Sequence, residues 1–220
     1  MITELMHIRM DRAVYVPAHF NEDDPETLYA LVRAHGFGLL VTQTPDGPFA
    51  THLPFLLDTG EGRPARLRGH IARANPQWKH FAEGGDALAI FQGPHAYVSP
   101  TWYARRAGAV PTWNYAAVHV TGRPTVIDDA ERVDALLDAL SAKYEAGRPD
   151  AWSLAELDPK AREAMRRGIV AFELPVTRIE GKWKLSQNRS AEDRAGVIAG
   201  LEAAGDPDSV ATARLMAKAP

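Results

Sequence analysis

The feature that most constrains the fold is a run of short strand-like segments joined by tight turns. Phe37 to Thr44 has the apolar pattern of a buried strand, and a second such segment extends from Phe49 to Leu57. Between them Pro45-Asp46-Gly47 is a tight-turn signal, and a third segment follows from about Ala65 to Ala72. Because strands joined by short turns pair antiparallel, these segments predict a hairpin within an antiparallel sheet.

Further strand and helix signals follow along the rest of the chain. We predict strands at Ala87 to Gln92, Ala96 to Ser99, Thr112 to Thr121, Pro124 to Ile127 and Ile169 to Leu174, the last leading into a short hairpin that turns near Glu180-Gly181. We predict helices beginning at Asp24-Pro25, Asn75-Pro76 and Asp128-Asp129, a helix from about Ser153 to Arg167, and helical structure from Ser190 to Lys218. This order of elements predicts an α+β fold, mostly antiparallel with peripheral helices, in one domain over 1–220 whose helical C-terminal extension covers about 190–220.

Charge and composition disfavour several classes of protein. The formal net charge of -3 gives no overall basic field, so DNA binding would need a local basic patch. The chain has no cysteine, and its 8 histidines lack the paired spacing with carboxylates of zinc sites, so we predict no metal site. Charges interrupt Met1 to Asp11, and no segment approaches the ~20 apolar residues of a membrane-spanning helix. We therefore expect a soluble, cytoplasmic protein with no membrane partner.

Five blocks are denser in aromatic and polar residues than core strands require. They are His52 to Phe55, Gly69 to Trp78, Gly93 to Pro100, Val110 to Tyr115 with Val118-His119, and Trp183 to Arg189. In this order they resemble the motif series of the PaiB family of FMN-binding proteins, which are described as negative transcriptional regulators. The resemblance extends from Tyr15-Val16-Pro17 to Gly200-Leu201 and is carried by the five blocks together.

The resemblance implies an FMN-binding split β-barrel similar to the pyridoxamine-phosphate-oxidase superfamily, in which a homodimer shares each FMN across the subunit interface. The blocks contain aromatic surface for the isoalloxazine ring, amides for its polar edge and cations for a phosphate. The candidate FMN-binding residues are Thr51, His52, Leu53, Pro54, Phe55, His70, Ala72, Arg73, Asn75, Asn114, Lys184, Gln187 and Asn188.

The predicted phosphate site lies where the third strand meets a helix. Arg73 and the helix beginning at Asn75-Pro76 would bring a guanidinium and a helix N-terminus to one anion. The similar oxidases place phosphate contacts at the corresponding strand end, although Ala74 stands where they often have a second cation. Arg66 and Arg68 are possible helpers, and the alternative for Arg73 is a surface residue that caps a turn.

Pro54 marks the part of the second strand where a flavin ring is expected. Proline donates no ladder hydrogen bond, so an interrupted strand can expose backbone groups to a ligand. We place His52 to Phe55 against the ring; the alternative is that Pro54 marks a β-bulge. The resemblance brings the Asn114 amide to FMN, whereas Trp113 and Tyr115 are expected at an interface or in the core.

The segment from Lys184 to Arg189 is the last candidate for ligand contact. Its two amides and two cations precede the Ser190 helix cap and exceed the needs of a turn, with Lys184 and Gln187 the leading candidates. The alternative is a solvated helix cap. Trp102 to Arg106 is interpreted as a mobile loop beside a pocket, without an assigned role.

Three functions are compatible with the resemblance. The first is an FMN-binding negative transcriptional regulator that acts as a homodimer; the acidic net charge and the lack of a clear helix-turn-helix argue against strong direct DNA binding. The second is a flavin-dependent oxidoreductase or flavin reductase acting on a small molecule. The third is a haem-binding or haem-degrading protein on the same barrel, with a histidine as axial ligand.

Overall fold

The computed structural model describes residues 14–60, 63–83 and 85–219, so the features expected of Met1 to Asp11 lie outside the described residues. The strands are β1 (Asn21–Glu22), β2 (Phe37–Thr44), β3 (Gly47–Gly60), β4 (Arg63–Ala72), β5 (Ala87–Val98), β6 (Thr112–Gly122), β7 (Thr125–Ile127) and β8 (Ile169–Lys184). The α-helices are α1 (Pro25–Ala34), α2 (Ala130–Glu145), α3 (Pro159–Gly168), α4 (Ala191–Ala204) and α5 (Pro207–Lys218), and 3₁₀ helices cover Ala18–Phe20, Pro76–Glu83, Pro100–Trp102 and Leu154–Glu156. Among the helices of these ranges, none has both the length and the apolar character needed to span a bilayer.

The sheet is mostly antiparallel, as predicted. β2 and β3 pair from Phe37 opposite Pro54 to Thr44 opposite Gly47, which confirms the first hairpin. Gly47 closes the turn with a φ of 119°, which glycine adopts without steric cost. β4 pairs with β3 on one side and with β8 on the other. The strand order is β1-β8-β4-β3-β2-β5-β6, with β7 also on β8, and with the helices this gives the predicted α+β class.

Side-chain caps begin α2 and α4 at the predicted positions. Asp129 Oδ1 accepts a hydrogen bond from Arg132 N at 2.8 Å at the start of α2, and Ser190 Oγ accepts one from Asp193 N at 3.1 Å at the start of α4. Gly205, with a φ of 74°, ends α4 before α5 begins. The helices predicted after Ser190 are therefore confirmed, and the single-domain assignment stays a prediction.

Three predicted elements differ from the structure. β8 passes through Glu180-Gly181 without a turn, because β1 pairs with it there and keeps the backbone extended. β5 is one strand through Gly93-Pro94, since the fixed φ of proline is compatible with extended backbone. The helix predicted from Ser153 to Arg167 is interrupted at Asp158, whose carboxylate caps α3 by accepting from Ala161 N at 2.8 Å.

The chain divides into two compact units. The first unit comprises the described residues of Met1–Asp24, Gly93–His119 and Glu180–Pro220, and the second comprises those of Pro25–Gln92 and Val120–Ile179. β5, β6 and β8 each contribute residues to both units.

Each unit has a buried apolar core. In the second unit the Phe55 ring meets Phe91 and Phe172 edge to face, at centroid distances of 5.3 and 6.2 Å. A separate cluster in that unit holds the apolar stripe of α2, formed by Val133, Leu136, Leu137 and Leu140. In the first unit the fully buried side chains include those of Leu185, Leu201 and Met216.

In the first unit, α4 carries two glycines one helical turn apart that form a notch for an aromatic residue. A Cβ at Gly196 would overlap the Trp102 carbonyl oxygen, and a Cβ at Gly200 would overlap the Trp102 ring. The notch therefore fixes Trp102 against α4 and places the next residue, Tyr103, at the edge of the 3₁₀ helix.

Candidate functional site

β3 presents the predicted ring-binding residues on alternate faces. The Leu53 and Phe55 side chains are 3% and 1% exposed and belong to the core of the second unit. His52 is exposed on the other face, where its ring stacks against Phe37 with 6.2 Å between centroids. Phe37, which was not among the predicted site residues, is 65% exposed. The side chains that this face offers to a ligand are therefore an imidazole and a phenyl ring.

Pro54 lies in a regular part of β3. The β2–β3 register continues through Pro54 opposite Phe37, and Phe55 N donates to Gly36 O at 2.7 Å. The irregular register lies between Asp58 and Gly60. The bulge considered at Pro54 is thus absent from that position.

The end of β4 and the following loop hold the predicted phosphate residues by internal hydrogen bonds. Asn75 Nδ2 donates to Thr51 Oγ1 at 2.9 Å, which joins the loop to β3. Arg73 Nε donates to Arg167 O at 2.8 Å, and its Nη2 donates to Ile169 O at 2.6 Å. Arg73 therefore stabilises the C-terminal end of α3, and its role toward a phosphate stays a prediction.

His70 has an unused polar atom in a buried position. Its Nδ1 is buried and has no hydrogen-bond partner in the part of the chain that the structure describes. Burial lowers the pKa of the His70 imidazole from its ordinary value of 6.5. The ring is therefore uncharged at neutral pH and retains an unused hydrogen-bonding position. Ala72, two residues further along β4, is exposed.

Arg66 and Arg68, the possible phosphate helpers, are already paired with a carboxylate. Arg68 Nε lies 2.6 Å and Arg66 Nε 3.0 Å from Asp58 Oδ2, and Arg66 also reaches Glu173 at 3.4 Å. Burial alone would raise the pKa of Asp58, but the hydrogen bonds from Arg68 and Arg66 outweigh it and the pKa falls below 3.8. Because both are already paired with Asp58, the two arginines are weaker candidates for binding a phosphate.

In the first unit, three predicted residues line one cleft of about 160 Å³, called the basic cleft below. Its lining includes Tyr103, Thr112, Asn114, Lys184, Asn188 and Arg189. Tyr103 and Arg189 were not among the predicted site residues. Arg189 belongs to one of the five blocks singled out in the sequence, and Tyr103 belongs to the segment Trp102 to Arg106 that was interpreted as a loop beside a pocket.

The loop after β8 is held by its own side chains. Ser186 has a φ of 64°, in the left-handed region, and its Oγ accepts a hydrogen bond from Asn114 Nδ2 at 2.9 Å. Gln187 Oε1 accepts from Leu185 N at 2.7 Å, and its Nε2 donates to Trp183 O at 2.6 Å. The Asn114 and Gln187 amides are therefore engaged within the protein, and Lys184 and Asn188 are the other two predicted residues in the lining of the basic cleft.

The first unit also exposes aromatic side chains. Trp113 is 52% exposed, and its ring stacks with His95 at 6.2 Å and meets Tyr97 edge-on at 6.1 Å. Tyr115 lies 5.5 Å from the Lys182 ammonium group. Their predicted place at an interface stays a prediction. Within the described ranges, no group of three or more His, Asp or Glu side chains is arranged to hold a metal ion.

Comparison with known proteins finds a matching family model and a similar bacterial protein. A family model described as "Putative FMN-binding domain" matches residues 14–178. "Protease synthase and sporulation protein PAI 2" from Bacillus subtilis is 38% identical over 203 residues, covering 92% of this chain and 96% of that protein.

Two solved structures resemble the fold. The FAD and heme binding protein from Mycobacterium smegmatis has a TM-score of 0.57 at 19% identity and covers 84% of this chain and 80% of its own. The flavocytochrome Anf3 from Azotobacter vinelandii has a TM-score of 0.58 at 18% identity, with coverage of 82% and 78%. These likenesses concern the fold alone, and the split β-barrel class predicted from the sequence is confirmed.

Proposed function

The chain belongs to the PaiB family of FMN-binding-domain proteins, and on that basis we propose that it binds FMN. The observation that carries the proposal is the buried Nδ1 of His70, which has no partner among the described residues. A buried polar atom without a partner costs free energy, so a ligand that hydrogen-bonds to it stabilises the folded protein.

The residues of the second unit fit a flavin in chemical type. The exposed His52–Phe37 stack offers the aromatic surface that an isoalloxazine ring packs against, and uncharged His70 offers a hydrogen bond to its polar edge. We propose that Pro54, which lies on the His52 face of β3, contributes to the same surface, since the Leu53 and Phe55 side chains point into the core. Bound FMN would supply hydride or electron transfer, and the protein would hold the ring and limit its contact with water.

The predicted phosphate partner in this unit is Arg73, with Asn75 beside it. Two Arg73 nitrogens donate to carbonyl groups, and Nη1 has no hydrogen bond among the described residues. A guanidinium fixed by two hydrogen bonds can present its remaining donors to an anion at little entropic cost. The predicted contacts of Lys184 and Asn188 with FMN concern the basic cleft and require a separate test.

A visible absorption spectrum and mass analysis of the ligand in purified protein test the proposal. We expect the absorption of a bound flavin and the mass of FMN. Protein that carries no flavin and does not bind added FMN would contradict it. A haem spectrum or steady turnover with NADPH would support instead the haem-binding or the oxidoreductase function.

Titration with FMN and riboflavin then tests Arg73. We expect Arg73→Ala to weaken FMN binding about tenfold or more and riboflavin binding much less, because riboflavin lacks the phosphate. Arg123→Ala is the matched control, since Arg123 is an exposed arginine near Asp86 at 3.9 Å. Equal losses for both ligands would give Arg73 a structural role only.

We further propose that the protein is a homodimer that regulates transcription. The proposal is supported by the similarity to the sporulation protein PAI 2 and by the exposed rings of Phe37 and Trp113, since a partner subunit commonly covers such apolar surface. Light scattering of dilute protein should give the mass of two chains. A monomer with full FMN affinity would exclude a site shared between subunits.

A further inference from the structure

The basic cleft concentrates positive charge without a carboxylate in its lining. Lys184 and Arg189 are both part of that lining, and no Asp or Glu is among the described residues that form it. Of the two acidic residues that begin α4, Asp193 accepts a hydrogen bond from Ala104 N at 2.9 Å, and neither lies in the lining. The two positive charges of the cleft are therefore not neutralised by a carboxylate of its own lining.

Lys184 is held so that its ammonium group stays in the cleft. Nζ donates to Thr112 Oγ1 at 2.6 Å and to Trp113 O at 2.5 Å. An ammonium has three donors, so two hydrogen bonds leave one for a ligand. Burial lowers the pKa of Lys184, and the charges of Lys182 and Arg189 lower it further. An anion between Lys184 and Arg189 would offset both effects, because it stabilises the charged ammonium group.

Tyr103 supplies a second, independent observation that points to a ligand. The residue is 4% exposed and lines the basic cleft, yet its hydroxyl has no hydrogen-bond partner in the described chain. The Arg189 guanidinium lies 4.8 Å from the centre of the Tyr103 ring, which fixes the arginine beside the hydroxyl-bearing side chain. Buried hydroxyl groups are seldom left without a partner, and an oxyanion would accept a hydrogen bond from the Tyr103 hydroxyl.

We propose that the basic cleft binds the oxyanion group, phosphate or carboxylate, of a small molecule through Lys184, Arg189 and the Tyr103 hydroxyl. Phe20, Val110 and Pro111 complete the lining and give the rest of the ligand an apolar surface. The volume of about 160 Å³ is suited to a small ligand or to one end of a larger one. The oxyanion could belong to FMN or to a separate molecule.

Thermal unfolding of flavin-free protein with inorganic phosphate, against sodium chloride at equal ionic strength, tests the proposal directly. We expect phosphate to raise the Tm of the wild type, and the phosphate affinity to fall about tenfold or more in Lys184→Met and in Arg189→Ala. Tyr103→Phe removes the hydroxyl alone and should lower the affinity about threefold or more. Lys218→Met is the matched control, because Lys218 is an exposed lysine of the same unit that lies outside the lining.

Titration of the same variants with FMN and riboflavin identifies the source of the oxyanion. A loss of affinity for FMN but not for riboflavin assigns the cleft to the FMN phosphate. Unchanged FMN affinity together with weaker phosphate binding assigns it to a separate anionic molecule. No Tm increase with phosphate together with unchanged FMN affinity in all three variants would overturn the proposal. Because the phosphate experiment uses flavin-free protein, its result stands even if the protein binds no flavin.

Discussion

Gln77 shows how a single buried amide joins the backbone of two strands. The residue is fully buried, and its Nε2 donates to Leu40 O at 3.0 Å in β2 and lies 3.2 Å from Phe49 O in β3. The same nitrogen lies 3.2 Å from Thr42 Oγ1. The side chain thus fixes the 3₁₀ helix of Pro76–Glu83 to the first hairpin.

We predict that Gln77→Ala lowers the free energy of unfolding by about 2–4 kcal/mol, since it leaves buried carbonyl groups without a donor and opens a cavity. Chemical denaturation at fixed pH measures the change. Gln43→Ala is the control, because the exposed Gln43 amide donates to the neighbouring Thr44 O and to no other described residue, and it should stay within about 0.5 kcal/mol of wild type. Equal effects of the two substitutions would show that the Gln77 network contributes little.

His70 and His119 give the stability a dependence on pH. Burial lowers the pKa of both imidazoles below 6.5, and at His119 Glu180 opposes this in part while Lys182 adds to it. Below pH 6.5 the unfolded chain therefore binds more protons at these positions than the folded protein, so stability falls as the pH falls. Well above pH 6.5 both histidines are uncharged in the folded and the unfolded protein, so they do not contribute to the change of stability with pH.

We therefore expect the flavin-free protein to lose unfolding free energy between pH 7.5 and pH 5.5, and His70→Gln to lose less over the same interval. Denaturation curves at several pH values provide the measurement. His19→Gln, at an exposed position, should follow the wild type. Parallel pH profiles for wild type and His70→Gln would refute this account.

At the scale of elements, α4 reverses the usual effect of glycine in a helix. Replacing an interior helical glycine by alanine ordinarily stabilises a helix by about 1 kcal/mol. At Gly200 the added methyl would overlap the Trp102 ring, so we expect Gly200→Ala to lower stability by about 1–3 kcal/mol. Gly168→Ala is the control, because a Cβ there would meet no atom of the described chain within 4 Å apart from its sequence neighbours and its own helix backbone. Thermal unfolding should separate the two variants, and a Gly200→Ala protein as stable as wild type would mean that the notch adapts easily.

Sequence patterns predicted the elements best where the signals are local. Asp129 and Ser190 cap the helices they were expected to cap, and Pro45-Asp46-Gly47 forms the expected turn. The turn expected at Glu180-Gly181 is wrong because a distant strand, β1, pairs there. Strand pairing over long sequence separations leaves no local trace, and tertiary contacts override the turn preference of glycine.

The types of residue at the candidate site could be predicted from the sequence, but only some of their positions in the fold could be. Lys184 and Asn188 do meet in one cleft, because both belong to one short segment. Alternation along β3 places Leu53 and Phe55 on one face of the strand. The sequence did not show that this is the face turned toward the core. Tyr103 and Arg189 belong to segments far apart in the sequence, so their contact could be found only from the structure.

At the scale of the whole molecule, the charge balance limits how the protein can act on DNA. A net charge of -3 leaves only local sets of cations to meet phosphates, and Arg66 and Arg68 are already paired. We predict that the isolated protein binds DNA weakly and with a steep loss of affinity as salt increases. Binding to promoter and scrambled duplexes at several salt concentrations, with and without FMN, measures the affinity and its dependence on salt. Tight, sequence-selective binding at physiological salt would instead establish a direct repressor.

The loop after β8 has a consequence for the rates of ligand binding. Its conformation is set by hydrogen bonds of Asn114 and Gln187 and by the left-handed Ser186, so the loop needs no ordering when a ligand arrives. Association with the basic cleft should then proceed at a rate set by diffusion and by charge steering toward Lys184 and Arg189. Substitutions that remove a donor there would act mainly on the residence time of the ligand, and those that loosen the loop would slow its entry.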